Sequence, residues 1–281
     1  MLRLVRRLAF ALSFAPVLAA PAFAQSSFSS GYEAYSQGDF KSALALWQPL
    51  ADAGDARAQF NLGILYAEGQ GIERDMRMAL AWWEKAAKQG HVRAAHNLGL
   101  ALLAGEPAVD GVQQEPDFDG AAKWLRLASE AGFANSLYTL GKMYLDGLGV
   151  PKDSARAAQL LRDAAEQGYA RAQYNLGKVY RDGIGVSADE DASVYWFMEA
   201  AMRGHAKAQS RMSTRLANGR GVDRDDVEAL KWAILAARQG YSPARAQVAA
   251  LQSRMNPGDI AEARARAQIF APQTAEIAFK R

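Results

Sequence analysis

The sequence predicts an all-α fold, a right-handed α-solenoid of stacked helix-turn-helix repeats with a C-terminal capping helix pair. Two series of residues that share one period predict it. Leu-Gly pairs recur at steps of 36, 42 and 36 residues, and single glycines recur at the same steps. A period of this size is typical of stacked helical hairpins rather than of a globule around one pocket. The pairs are Leu62-Gly63, Leu98-Gly99, Leu140-Gly141 and Leu176-Gly177, and the single glycines are Gly54, Gly90, Gly132, Gly168, Gly204 and Gly240.

The first helix of each repeat carries the Leu-Gly pair. Leu62 and Tyr66 are four residues apart, so they share one helical face. Gly63, beside Leu62, lacks the Cβ that would hold a neighbouring helix away. The Gly69-x-Gly71 turn ends this helix, because glycine adopts the left-handed conformation of a helix C-cap at little cost.

The second helix of each repeat begins at an aspartate. Asp75 suits this start as an N-cap or as an acid of the first turn. Ala79, Trp82 and Ala86 then recur at helical spacing and predict the face that packs against the first helix. One hairpin cannot bury that face alone, so stacked neighbours are expected to share the stability of the array.

The repeat signature is A-x-x-x-L-G-x-x-Y-x-x-G-x-G-V-x-x-D, followed by A-x-x-W and A-A-x-x-G. It resembles the Sel-one-like repeat (SLR), a branch of the tetratricopeptide superfamily. The resemblance covers residues 58–244 as five repeats, and residues 31–57 form a degenerate, more tetratricopeptide-like repeat. The last of the five departs most, with Ser213 and Leu216 where the others place glycine and mostly tyrosine.

The segments at both ends of the sequence do not follow the repeat pattern. Residues 1–24 have the basic start, short apolar stretch and A-x-A site of a secretory signal peptide, so we expect cleavage after Ala24. Residues 25–30 are rich in serine and are expected to be a disordered leader. We expect a helical cap over residues 245–271 and a loose tail over residues 272–281.

Export and composition together set the expected compartment. The chain has no cysteine, so neither a lipid anchor after the signal nor a disulfide is possible. We therefore expect a protein of the periplasm of a Gram-negative bacterium, without stable membrane insertion after cleavage, and a monomer.

Charge does not indicate a nucleic-acid partner. Residues 1–24 hold three arginines and no acid, so their removal takes the formal net charge from +3 to zero. The remainder is uneven: residues 25–202 carry 16 basic and 23 acidic side chains, whereas residues 203–281 carry 14 and 7. This asymmetry either orients a charged partner or reflects solvated helix faces.

The sequence predicts no catalytic, metal or cofactor site. His91, His96 and His205 occupy positions where other repeats place aromatic residues, which favours packing roles. No G-x-S-x-G, H-E-x-x-H or P-loop motif occurs. A chain of this kind is expected not to be an enzyme.

The resemblance implies a binding groove lined by the first helices. Leu62 and Tyr66 are committed to packing, so positions three and seven residues apart on another face would look into the groove. Amides there can bond to a peptide backbone, and the lysines can meet carboxylates. Alternatively, the asparagines satisfy only local hydrogen bonds. The candidate partner-binding residues are Asn61, Asn97, Lys142, Asp146, Asn175, Lys178 and Asp182, and the last repeat presents Arg211, Thr214 and Asn218 on the same face.

Two functions remain open at this stage. The first is a non-enzymatic periplasmic adaptor that binds a peptide or an envelope protein in the groove, with regulation of signalling as one such role. The alternative is a cell-wall-binding or hydrolytic protein, like the secreted penicillin-binding members of the same family. This chain lacks their cysteines, and no serine is followed three positions later by lysine. The insertion within Gly105–Asp119 is acidic and is either a binding loop or a tolerated surface loop.

Overall fold

The computed structural model describes residues 20–105 and 115–273. Within these ranges the chain forms fourteen α-helices and no strand. It divides after Gln89 into two compact units, the first with α1–α4 and the second with α5–α14. The helices are α1 (Ala20–Ser36), α2 (Phe40–Asp52), α3 (Ala56–Glu68), α4 (Met76–Lys88), α5 (Val92–Ala104), α6 (Phe118–Glu130), α7 (Ala134–Asp146), α8 (Ser154–Glu166), α9 (Ala170–Asp182), α10 (Glu190–Met202), α11 (Ala206–Asn218), α12 (Asp226–Arg238), α13 (Ser242–Gln252) and α14 (Pro257–Ile269).

Within each unit the helices pack as consecutive pairs. In the first unit α1 packs on α2 and α3 on α4, and α2 contacts α3 between the pairs. In the second unit the pairs α5–α6, α7–α8, α9–α10 and α11–α12 follow one another in the same way. This arrangement confirms the predicted all-α fold of helix-turn-helix repeats, with the pair as its unit.

The glycine of each Leu-Gly pair lies where two helices of one repeat approach closely. A Cβ at Gly63 would lie 2.2 Å from Nε1 of Trp83, and one at Gly177 would lie 2.8 Å from Cδ1 of Phe197. The contact at Gly141 is looser, 3.3 Å from Cγ of Leu161. The predicted role of these glycines as spacers is confirmed, and the side chain across from each sets how tight the contact is.

The two glycines of each turn have different tasks. Gly147 is the left-handed C-cap of α7, with φ 73°, and its N–H donates to the carbonyl of Met143. Gly149 also has a positive φ of 63°, but a Cβ there would lie 2.0 Å from the carbonyl oxygen of Phe118. Since Phe118 opens α6 of the preceding repeat, the second glycine allows one repeat to stack on another.

Aspartate N-caps begin the second helices, as the sequence predicts. The carboxylate of Asp75 accepts from the N–H of Met78, and that of Asp153 accepts from the N–H of Arg156. Each cap satisfies a backbone donor that would otherwise lack a partner in the first helical turn.

The beginning of the described chain differs from the expected disordered leader. Residues 25–30 lie inside α1, and the carbonyl of Phe28 accepts a hydrogen bond of 3.2 Å from Nε1 of Trp47 on α2. The Phe28 ring also lies 6.0 Å from the Trp47 ring. Packing on α2 therefore overrides the serine-rich composition of the segment. The proposed signal segment falls mostly on residues 1–19, outside the described residues.

The end of the chain covers the last repeat. Both α13 and α14 pack on α12, and Leu251, Ala263 and Ala267 are buried there. The Phe270 ring meets the buried Trp232 at 5.3 Å in an edge-on contact. The predicted loose tail begins with a contact, since the N–H of Gln273 donates to the carbonyl of Met202 at 2.9 Å. The remainder of that tail, from residue 274, lies outside the described residues.

Candidate functional site

The first helices of the second unit lie side by side. Nδ1 of His96 on α5 is 2.8 Å from Oγ of Ser136 on α7. The amide of Asn175 on α9 donates to the hydroxyl of Tyr138 on α7 at 3.4 Å. We call the surface formed by α5, α7, α9 and α11 at the predicted groove positions the first-helix face.

The predicted partner-binding residues lie at different depths. Lys142, Asp146 and Asp182 are exposed, whereas Asn97 and Lys178 are half-buried. These five residues belong to the second unit and are accessible to a partner on the first-helix face.

At one position the asparagine makes only the local hydrogen bond that the alternative interpretation expects within its own helix, besides a long contact to Tyr138. Nδ2 of Asn175 donates to the carbonyl of Arg171 at 2.8 Å, so one turn of α9 already uses this amide. Asn61 is half-buried and belongs to α3 of the first unit. The amides alone therefore do not define a site.

A pocket of about 350 Å³ opens where α9 and α11 face each other. Asp182, Arg211, Thr214 and Asn218 are groove positions predicted from the sequence, and all four line it. The pocket therefore lies on the first-helix face of the second unit. Its lining comprises Arg181, Asp182, Arg211, Thr214, Arg215, Asn218 and Arg220.

Arginines dominate the electrostatics of this pocket. Nε and Nη2 of Arg181 each donate to a carboxylate oxygen of Asp182 at 2.7 Å. These charge-assisted bonds lower the pKa of Asp182. Arg215 pairs with Glu190 and donates to Oγ of Ser193 at 3.2 Å, and its hydrogen bond lowers the pKa of Glu190. Four guanidinium groups thus face two carboxylates, which leaves a net positive pocket.

Arg215 is the residue that the sequence reasoning missed. Its side chain is 3% exposed, in the repeat position where Leu65, Met143 and Val179 are buried apolar side chains. Its Nε–H finds no acceptor among the described residues. Burying a charge costs free energy unless it is fully paired, and an apolar side chain serves the fold at this position elsewhere. A basic residue in an apolar position of the repeat was the signal that would have revealed it.

The other arginines are more accessible. Arg211 is exposed and makes no ion pair with any residue in the described ranges. The side chain of Arg220 is 70% exposed, and its Nε lies 3.3 Å from Glu190 Oε1. Both can therefore donate to a bound anion.

The histidines have structural roles. Nδ1 of His91 and of His205 accepts the N–H of Ala94 and of Ala208, each at 3.2 Å, so these residues are N-caps of α5 and α11. The His205 ring also stacks on Tyr174 with centroids 4.8 Å apart. Desolvation lowers the pKa of His96 and of His205 to about 4. Capping was not foreseen, because the aromatic residues at the same position in other repeats make no side-chain cap.

The described part of the chain includes neither a metal-binding cluster nor a helix that could span a membrane. Over residues 20–105 and 115–273, no group of three or more acidic or histidine side chains could hold a metal ion. Over the same ranges, no helix combines the length and apolar character needed to span a membrane.

Comparisons with known proteins agree with this architecture. The Sel1 repeat profile matches five consecutive segments, residues 56–91, 92–133, 134–169, 170–205 and 206–241. A search of curated proteins found no match.

Two crystal structures are among those similar to this chain. One is c5321, a protective antigen of uropathogenic Escherichia coli with an SLR fold, which is 29% identical in sequence and has a TM-score of 0.74. The match covers 89% of this chain and 54% of c5321. This chain thus spans about half the length of c5321. The other is a Sel1 repeat protein from Oxalobacter formigenes, which is 27% identical in sequence and has a TM-score of 0.72. The match covers 89% of this chain and 98% of the Oxalobacter formigenes chain. Since the repeat profile covers more than half of the sequence and both structures share its helix pairs, the chain belongs to the Sel1 repeat family.

Proposed function

We propose that the protein is a non-enzymatic periplasmic scaffold that binds a peptide segment of an envelope protein on the first-helix face of residues 90–281. Sel1 repeat proteins commonly mediate protein–protein interaction. The observation that carries the proposal is the polar pocket between α9 and α11, because four of its seven lining residues hold groove positions predicted from the sequence. A pocket with several convergent donors on a rigid helical frame suits peptide recognition.

The periplasmic part of the proposal depends on export. We expect signal cleavage after Ala24, because Ala22 and Ala24 form the A-x-A site behind the apolar stretch. The intact mass of protein recovered from the periplasm of a Gram-negative host should equal that of a chain beginning at Gln25. A retained N-terminus, or recovery only from the cytoplasm, would contradict export.

Two lysines test the first-helix face itself. Lys142 and Lys178 hold equivalent positions one repeat apart on α7 and α9. Asp182, one turn from Lys178, already binds Arg181, so Lys178 is not committed to that carboxylate. Replacing both lysines by glutamate should weaken capture of the envelope partner by about tenfold or more at low salt, while helicity and melting stay unchanged.

The experiment has two stages. Cross-linking in periplasmic extract followed by mass spectrometry identifies the partner, and titration with the purified partner then measures affinity. The control replaces Lys123 and Lys152 by glutamate, since both are exposed in the same unit, Lys123 on α6 and Lys152 in the turn before α8. Equal affinity for the wild type and the Lys142/Lys178 variant would remove these lysines from the site. If the lysines serve only as solvated intrahelical partners, the variant instead loses about 0.3–0.5 kcal/mol of stability and no affinity.

A further inference from the structure

The arginines of the pocket are not part of the repeat framework. The five repeats act as an internal comparison, because equivalent positions lie 36 residues apart across this region. Arg220 stands where preceding repeats have Ile184 and Leu148, and Arg181 stands where they have Leu145. Arg211 likewise replaces the asparagine or threonine of the other repeats. Four cations have therefore accumulated around one pocket at positions where the fold accepts neutral side chains.

The burial of Arg215 argues against a purely structural role for the arginines of the pocket. Arg215 loses its hydration at 3% exposure and keeps an Nε–H without an acceptor among the described residues. Its partner Glu190 remains 37% exposed, so the pair is not a sealed core ion pair. Apolar residues commonly replace buried ion pairs without loss of stability. The arrangement instead holds a guanidinium at the wall of the pocket with Phe197 against it, at 5.3 Å from the ring centroid.

The charges favour a carboxylate ligand. Inside the pocket, Arg181 donates two parallel hydrogen bonds to the carboxylate of Asp182. This planar, two-bond geometry is the one that best suits a guanidinium and a carboxylate. A dianionic phosphate would be repelled by Asp182, which lines the pocket, and by Glu190, which pairs with Arg215, whereas a single carboxylate meets less repulsion. Arg211 and Arg220 are the accessible donors that such a carboxylate would reach.

Two lysines lie beyond the pocket on the first-helix face, each one turn from an exposed aspartate, Asp146 or Asp182. Lys178 lies one turn before Asp182 on α9, and Lys142 holds the same position on α7. An extended chain with several carboxylates can contact this row and the pocket together, which a small anion cannot.

We propose that the pocket formed by Arg181, Arg211, Arg215 and Arg220 is the binding site for an acidic peptide segment, whose carboxylates pair with Arg211 and Arg220. This inference deepens the scaffold function and depends on it for the biological partner. Binding itself needs only the pocket, so it can be measured with a synthetic peptide. Because arginine keeps its charge at every accessible pH, affinity should stay constant until the peptide's own carboxylates protonate.

The test uses fluorescence anisotropy with the full mature chain and a labelled peptide of alternating glutamate and glycine. The expected result is salt-sensitive binding of this peptide and none of the matched glutamine–glycine peptide. The variant Arg211→Gln with Arg220→Gln should lower affinity about tenfold or more. The control variant Arg245→Gln with Arg264→Gln removes the same charge at exposed positions of α13 and α14 outside the pocket and should stay within about twofold of wild type.

Peptides with a free or an amidated C-terminus identify the source of the carboxylate. Equal binding of both assigns the pocket to side-chain carboxylates, and binding of the free form alone assigns it to a chain terminus. Circular dichroism and melting verify that each variant is folded. Equal affinity for the pocket and control variants would overturn the proposal. So would displacement of the peptide by inorganic phosphate at equal concentration, since that behaviour describes a general anion site.

The outcomes for the two proposals can be separated. If the acidic peptide does not bind but the Lys142/Lys178 variant still loses the envelope partner, the pocket assignment alone fails. If the acidic peptide binds at the pocket and no envelope partner is captured, the pocket stands and the scaffold function fails.

Discussion

Replacing Gly149 by alanine is expected to destabilise the protein by about 3 kcal/mol or more. Two costs combine at this position. The φ of 63° is unfavourable for any residue with a Cβ, and that Cβ would lie 2.0 Å from the carbonyl oxygen of Phe118. Backbone at the start of α6 cannot rotate away as a side chain can, so the repeats on either side must separate.

Gly132→Ala is the matched control. Gly132 has a φ of 78°, yet a Cβ there would meet no atom within 4 Å. It therefore carries only the conformational cost, about 1 kcal/mol. Urea denaturation followed by circular dichroism measures both free energies of unfolding. Equal losses for the two variants would show that the contact between Gly149 and Phe118 does not limit stacking.

Acid is expected to weaken the fold through two histidines, the buried His96 and the half-buried His205. Burial lowers the pKa of His96 and of His205 to about 4, below the value of 6.5 in the unfolded chain. The unfolded state therefore binds protons first, and stability is lost as the pH falls from about 6.5 toward about 4. Above this pH range both histidines are neutral in the folded and in the unfolded chain, so they no longer change the stability. Each histidine is expected to cost about 1–2 kcal/mol between about pH 7 and about pH 5.

His96 and its hydrogen-bond partner Ser136 can be replaced together by the residues that other repeats have at the same two positions. Ser136, which bonds to it, holds a position where the other repeats bury alanine, and Phe60 and Tyr138 are aromatic equivalents of His96. The double change His96→Phe with Ser136→Ala should remove about half of the pH dependence while leaving stability near neutral pH within about 1–2 kcal/mol. Denaturant titrations across this pH range measure it. An unchanged slope would mean that His96 does not stay neutral in the folded state.

Local patterns in the sequence were sufficient to predict the repeat. Glycine at a C-cap, aspartate at an N-cap and a leucine–tyrosine face act over a few residues, so each can be recognised from its neighbours. Asp75 and Gly69 accordingly behave as predicted. Repetition strengthens these weak signals, because the same local rule appears several times at one spacing.

The candidate site was predictable only in part. The helical period placed Asp182, Arg211, Thr214 and Asn218 on one face, and that face does contain the pocket. The period could not show that Arg215 enters the pocket wall, since its position in the repeat is apolar and buried in the other repeats. Periodicity assigns positions to faces, whereas the side chain at a position decides how the neighbouring helix packs against it.

The sequence by itself determined the helix pairs, the glycine C-caps at their turns and the aspartate N-caps of the second helices, all of which depend on interactions within a few residues. Only the tertiary structure decided which glycine meets backbone, that residues 25–30 join α1, and that four arginines converge. Gly149 and Gly132 both have a positive φ, yet of the two only Gly149 contacts the preceding repeat. Contacts between residues some thirty positions apart arise from the way the repeats stack, and stacking depends on side-chain shape at every interface together.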